Sequence, residues 1–154
     1  MTASPAATVQ LPADSGGVWE FVDARPSGPA RPDPQGAFAI VRLNKAAFDR
    51  AVRLAPKDGS GRESNVILAL PIPGRTLSRF RVTESPMLAP ELAAAFPDIR
   101  TYRGQGIDDP SATVRFGWTE KGFHALLLTS SGEIYIDPYG PGDLEYYITM
   151  RKAR

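Results

Sequence analysis

His124 is the only histidine in the chain, and there is no cysteine. Zinc hydrolases of the HExxH kind need at least two imidazoles, and thiolate metal sites and thiol catalysis need cysteine. None of these can be built from this sequence. His124 stands between Phe123 and Ala125 in an apolar run, the setting of a structural or surface imidazole. A serine triad would pair it with a nucleophile on a Gly-x-Ser-x-Gly elbow. No such elbow occurs, and Ser60 sits in Gly59-Ser60-Gly61 within a polar linker. Asp108 and Asp109 are paired carboxylates, but Pro110 follows them, and this order favours a turn in which aspartates bond nearby backbone. The loop also lacks the ligand spacing of an EF-hand. Gly104-Gln105-Gly106 begins like a dinucleotide fingerprint, yet no third glycine follows at the needed spacing and a turn, not a helix, comes next. A carboxylate enzyme would need Asp108, Asp109, Glu133 or Asp137 to meet in a cleft. The expectation is therefore a protein that is not an enzyme and holds no cofactor of its own.

These residues must be carried by a single domain, because 154 residues leave no room for two independent cores. Apolar residues make up 42% of the chain and charged ones 23%, a globular balance. Glycine and proline number 14 and 15, well above average usage, which favours short strands and many turns. A net charge of +1 gives no electrostatic reason to expect nucleic acid or membrane as a partner, and a monomer is expected. Charge is nevertheless uneven, net positive through residue 81 and net negative over 82–150.

Period-two alternation marks most of the elements. Phe80 and Val82 oppose Arg79, Arg81 and Thr83; Val114, Phe116 and Trp118 face inward against Thr113, Arg115 and Thr119. Ile134 and Ile136 oppose Glu133, Tyr135 and Asp137, and residues 145–151 alternate in the same way. Residues 38–43 and 66–70 are apolar on both faces and predict central strands. Residues 123–129 and 133–138 flank Ser130-Ser131-Gly132, the pattern of a hairpin. Residues 17–23 and 99–104 complete about nine strands. Asn44 can cap a helix presenting Phe48, Ala51, Val52 and Ala55, stopped by Pro56; a second short helix is predicted over 90–96. The predicted class is α+β, mostly antiparallel sheet with two short helices. Residues 25–36 hold four prolines and predict a long surface loop. Residues 1–16 predict a mobile tail, 17–150 the globular domain, and 151–154 a basic end in which Arg151, Lys152 and Arg154 form a candidate processing linker. Residues 1–13 do not resemble a secretory signal, and no apolar run is long enough to span a membrane.

One stretch carries a resemblance. It runs Arg79-Phe80-Arg81-Val82-Thr83-Glu84-Ser85-Pro86-Met87-Leu88-Ala89-Pro90-Glu91-Leu92, then through Phe96-Pro97-Asp98-Ile99 to Thr101-Tyr102-Arg103-Gly104-Gln105-Gly106-Ile107-Asp108-Asp109-Pro110. With residues 112–116 and Tyr135-Ile136-Asp137-Pro138-Tyr139, it resembles the N-terminal pro-domain of secreted bacterial reprolysin-like (adamalysin-related) zinc metalloproteases. The likeness covers roughly residues 18–150. It implies a non-catalytic module that assists folding of a zinc endopeptidase and keeps it latent by covering the active-site cleft. The partner would be the protease domain, in cis or in trans, and zinc would belong to that domain. Localisation would be secreted or periplasmic if a signal has been removed. Animal relatives are commonly credited with a pro-domain cysteine as zinc ligand; without cysteine, inhibition here would have to be steric or use another ligand type. Glu84, Ser85, Pro86, Met87, Gly104, Gln105, Gly106, Asp108 and Asp109 are the candidate partner contacts. The alternative is a stand-alone binding module for a peptide, glycan or cell-surface partner, with Trp19, Trp118, Tyr102, Tyr135, Tyr139, Tyr146 and Tyr147 as aromatic platforms.

Overall fold

The alternating segments become extended chain in the computed structural model, which describes residues 17–22, 38–57, 61, 64–85, 99–140 and 142–151. Among the described residues nine strands form: β1 (Trp19–Val22), β2 (Phe38–Leu43), β3 (Ile67–Ile72), β4 (Thr76–Glu84), β5 (Arg100–Gly106), β6 (Thr113–Thr119), β7 (Gly122–Thr129), β8 (Gly132–Pro138) and β9 (Tyr146–Arg151). Among the described residues one helix, α1 (Lys45–Val52), lies between β2 and β3. Every predicted strand is present, with ends within two residues of expectation. The described residues are mainly β with one helix, where α+β with two was expected. The helix expected over 90–96, the tail 1–16 and the proline-rich segment 25–36 lie outside the described residues.

The strands make one antiparallel sheet in the order β1-β2-β9-β8-β7-β6-β5-β4-β3. From β3 to β9 each strand pairs with its neighbour in sequence, the cheapest connection in chain entropy. The Ser130-Ser131 turn links Thr129 to its ladder partner Gly132, whose φ of 124° only glycine adopts without strain. Strand twist curls the sheet until β3, last in the ladder, lies against β9 and β2. The result is a nearly closed barrel. Across the seam the buried Thr149 hydroxyl donates to the Pro71 carbonyl at 3.0 Å. Beside it the turn residue Arg75 donates from Nη1 to the Val22 carbonyl at 3.4 Å and covers the Phe21 ring.

The seam corrects one expectation. The segment predicted as a central strand at 66–70 is an end strand, laddered only to β4. Leu68 through Pro71 are nonetheless buried, because the far side of the barrel covers what a neighbouring strand would otherwise cover. Pro71 lacks an N–H to donate and suits a strand with one free edge.

Inward residues fill the barrel. Val41, Phe80, Val82, Leu127, Ile136 and Tyr147 have no exposed surface. The Asn44 side chain caps α1 by accepting from the Ala47 amide at 3.1 Å, and the helix turns Ala47, Phe48 and Val52 into the core. Phe48 meets Phe116 and Phe123 edge-on, with centroids 6.2 and 5.6 Å away. Trp19 and Tyr147 pack around Phe123, and Tyr102 stacks on Phe116 at 5.1 Å. Trp118, expected inward with Val114 and Phe116, is only half-buried, with Lys45 Nζ 4.6 Å from its ring centroid.

Candidate functional site

The outward side chains of β4 to β7 descend from the same alternation that fills the core. Ladder register sets them in rows across the strands. Thr83 pairs with Arg103, Arg103 with Arg115, and Arg115 with Leu126. The adjacent row runs Arg81, Gln105, Thr113, Leu128. Together they line an open groove of about 410 Å³, with Ser64 at one end. Arg103 and Arg115 stand directly opposite, with Cβ atoms about 5 Å apart, and Arg81 is on the diagonal at about 7–8 Å. Like charges placed this way repel. The Arg81 Nη1 group donates to the Ser64 carbonyl at 2.8 Å. The Arg115 side chain makes no hydrogen bond or ion pair among the described residues. Leu126 is half-buried and Leu128 is 46% exposed, so the groove pairs cations with aliphatic surface. Beyond Leu126 the first row continues through Tyr135 and Met150 to Phe38, all half-buried.

The predicted contact residues flank this groove without forming one cluster. Glu84 ends β4, where its amide donates to the Pro56 carbonyl at 2.8 Å and its carboxylate lies 3.6 Å from Arg100. Ser85 exchanges bonds with Thr101, donating from its amide and accepting the Thr101 hydroxyl. Pro86 and Met87 lie outside the described residues. Gly104 to Asp109 lie toward the other end of the same ladder, since Glu84 pairs with Tyr102 but Phe80 with Gly106.

At that end most groups serve the loop itself. The Asp108 carboxylate takes the Arg79 amide at 2.8 Å and the Arg79 guanidinium at 2.8 and 3.2 Å. The hydrogen bonds from Arg79 hold the Asp108 carboxyl below the ordinary carboxylate range. Asp109 accepts from the Ser111 amide and hydroxyl, the local turn chemistry expected before Pro110. Gln105 reaches from the groove to the Pro110 and Ala112 carbonyls. Gly104 and Gly106 have ordinary negative φ, and crowding is their constraint. A Cβ on Gly106 would fall 2.0 Å from the Asp109 carbonyl oxygen, and one on Gly104 2.9 Å from Val114 Cγ1.

The remaining candidates are dispersed. Glu133 accepts from the Tyr135 hydroxyl at 3.0 Å, and Asp137 pairs with His124 Nδ1 at 3.1 Å. Both belong to β8, three strands from β5, so the four carboxylates share no cleft. No group of three or more metal-ligating side chains occurs among the described residues. His124 is exposed, and its cross-strand neighbour Gly117 offers no nucleophile. Of the proposed aromatic platforms, Trp19, Tyr102, Tyr139 and Tyr147 are buried, while Trp118, Tyr135 and Tyr146 are half-buried. Burial raises the pKa of the Tyr147 phenol, which donates to the Leu144 carbonyl and accepts from the Phe123 amide, both at 3.1 Å. Arg151 closes β9 and donates to the Ser131 hydroxyl at 2.8 Å; Lys152 and Arg154 lie outside the described residues.

Alternation identifies Arg81 and Arg115 as outward, but nothing local brings them beside Arg103. That convergence is a product of register. No helix among the described residues is long and apolar enough to cross a membrane. The chain matches no protein-family model, no curated protein and no solved structure.

Proposed function

We propose that this domain is a non-catalytic pro-domain that assists the folding of a reprolysin-like zinc endopeptidase and keeps it latent by covering its active-site cleft. One observation carries the reading. The outward row Arg103–Arg115–Leu126–Tyr135–Met150 crosses five strands of a rigid barrel with the residue types that protein interfaces prefer. Arginine, tyrosine and methionine are enriched where proteins bury surface against each other, and here they sit on framework rather than on loops. A scaffold of this kind can template a partner without rearranging itself. With no cysteine and one histidine, latency would come from covering the cleft. Zinc in this scheme belongs to the protease.

The test is to add the full chain in trans to a reprolysin-like protease from the same organism, during turnover and during refolding from denaturant. Inhibition at micromolar concentration, or faster recovery of activity on refolding, is the expected result. A folded domain that does neither, against an active protease, overturns the reading. Binding without inhibition or refolding assistance would assign the domain to the alternative, a stand-alone binding module.

A further inference from the structure

β1 has four residues, stands at the end of the ladder order and among the described strands pairs with β2 alone. The Asn44 amide donates to the Val18 carbonyl at 2.8 Å, so ladder alternation gives Glu20 and Val22 the hydrogen bonds to Arg42 and Ile40. Such a short edge would fray if it were not tied down. Its ties are side chains. Trp19 is buried and meets Phe123 and Tyr147 edge-on, with ring centroids 5.2 and 6.1 Å away.

Two features at opposite ends of β1 set how firmly it is seated. At its start, Trp19 Nε1 is buried without a hydrogen-bond partner. That orphaned donor weakens the closed barrel, because water would satisfy it once the strand moved away. At its end, Arg75 reaches across the seam from the turn between β3 and β4. Its Nη1 group donates to the Val22 carbonyl at 3.4 Å, and its guanidinium lies 5.5 Å from the Phe21 ring centroid. Arg75 has a φ of 63°, the only positive value on a non-glycine residue among those described. Glycine would make this turn with less strain, so the turn itself gives no reason for arginine; the reach to β1 does.

We propose that β1 is a release strand and that Arg75 is the latch setting how often it opens. In the open state β1 leaves β2, the Trp19 indole reaches water, and the rest of the barrel stays folded. The fold thus has two states, differing in one strand at the seam, and latch contacts decide their ratio. The inference goes beyond the pro-domain reading and stands without it, since the equilibrium lies within this chain.

Amide hydrogen exchange of the full chain, followed by NMR across low urea concentrations, tests it. Glu20, Val22, Ile40 and Arg42 should exchange through one common opening that is nearly insensitive to urea. Leu68 and Leu70, bonded to β4 on the other end strand, should exchange with β6 and β7 through global unfolding. Arg75→Gly, which keeps the turn, should speed the first group about threefold to tenfold and leave β6 and β7 unchanged. Trp118→Phe leaves Trp19 as the sole tryptophan, and adding Arg75→Gly should raise its quenching by acrylamide. Three results overturn the proposal: β1 amides that exchange only on global unfolding, Arg75→Gly speeding every strand equally, or Arg75→Gly leaving β1 exchange and Trp19 quenching unchanged. The wild-type profile alone decides the first, so a poorly folding variant does not protect the proposal. No protease is involved, and each of these results would leave the pro-domain reading standing.

Discussion

Gly106→Ala separates a contact role from a structural one for the loop after β5. A Cβ at this position falls 2.0 Å from the Asp109 carbonyl oxygen and 3.1 Å from that of Ala112. Carbon and oxygen in ordinary contact lie more than 3 Å apart, so the Asp109 carbonyl must retreat by about 1 Å. That carbonyl accepts the Ala112 amide at 2.9 Å, and the Ala112 carbonyl accepts the Gly106 amide at 2.8 Å. Disrupting one such bond costs about 1 kcal/mol, and overpacking typically adds about 1–3 kcal/mol. Reduced entropy of the unfolded chain returns about 0.4–1 kcal/mol. The net loss is about 1–3.6 kcal/mol, or about 2–14 °C in Tm for a domain of this size. Urea denaturation followed by circular dichroism measures it. A loss below 1 kcal/mol would show that the loop yields easily and would refute the steric account of Gly106.

Phe48→Ala removes the ring through which α1 enters the aromatic core and should cost about 3–5 kcal/mol in the same assay; a cost under 1.5 kcal/mol would mean that the helix is not an integral part of the core. Tyr147→Phe leaves the buried Phe123 amide without its acceptor and should cost about 1–3 kcal/mol, whereas a neutral result would show that water or another group replaces the phenol. Asp108→Asn should cost at most about 1 kcal/mol near neutral pH, because the pair with Arg79 is partly exposed. The Asp108 pKa is lowered on folding, so its contribution is present above the unfolded value of about 3.9 and disappears as pH falls through the lower folded value. The stability difference between wild type and variant should therefore be flat from pH 8 to 5 and shrink at more acidic pH. A difference that grows on acidification would contradict that sign.

Period-two alternation and turn residues determined by themselves which segments become strands and which side of each faces inward, because both are local properties of the chain. Phe80 and Val82 point into the core while Arg81 points out, as the spacing predicts. The Asn44 cap and the Ser130-Ser131 turn are equally local, set by a side chain two or three residues from the backbone group it serves. The Asp-Asp-Pro turn was legible for the same reason. Tertiary structure decided the rest. Residues 66–70 look central because they are apolar on both faces, yet the barrel seam, not a second ladder, is what buries them. Gly104 and Gly106 would pass as turn glycines until Val114 and the Asp109 carbonyl are seen pressed against them. Most of all, Arg81, Arg103 and Arg115 are spread over 35 positions of sequence and meet only because the register of two ladders sets them side by side. Register is a sum over hydrogen bonds and inward packing along whole strands, so no window of sequence contains it.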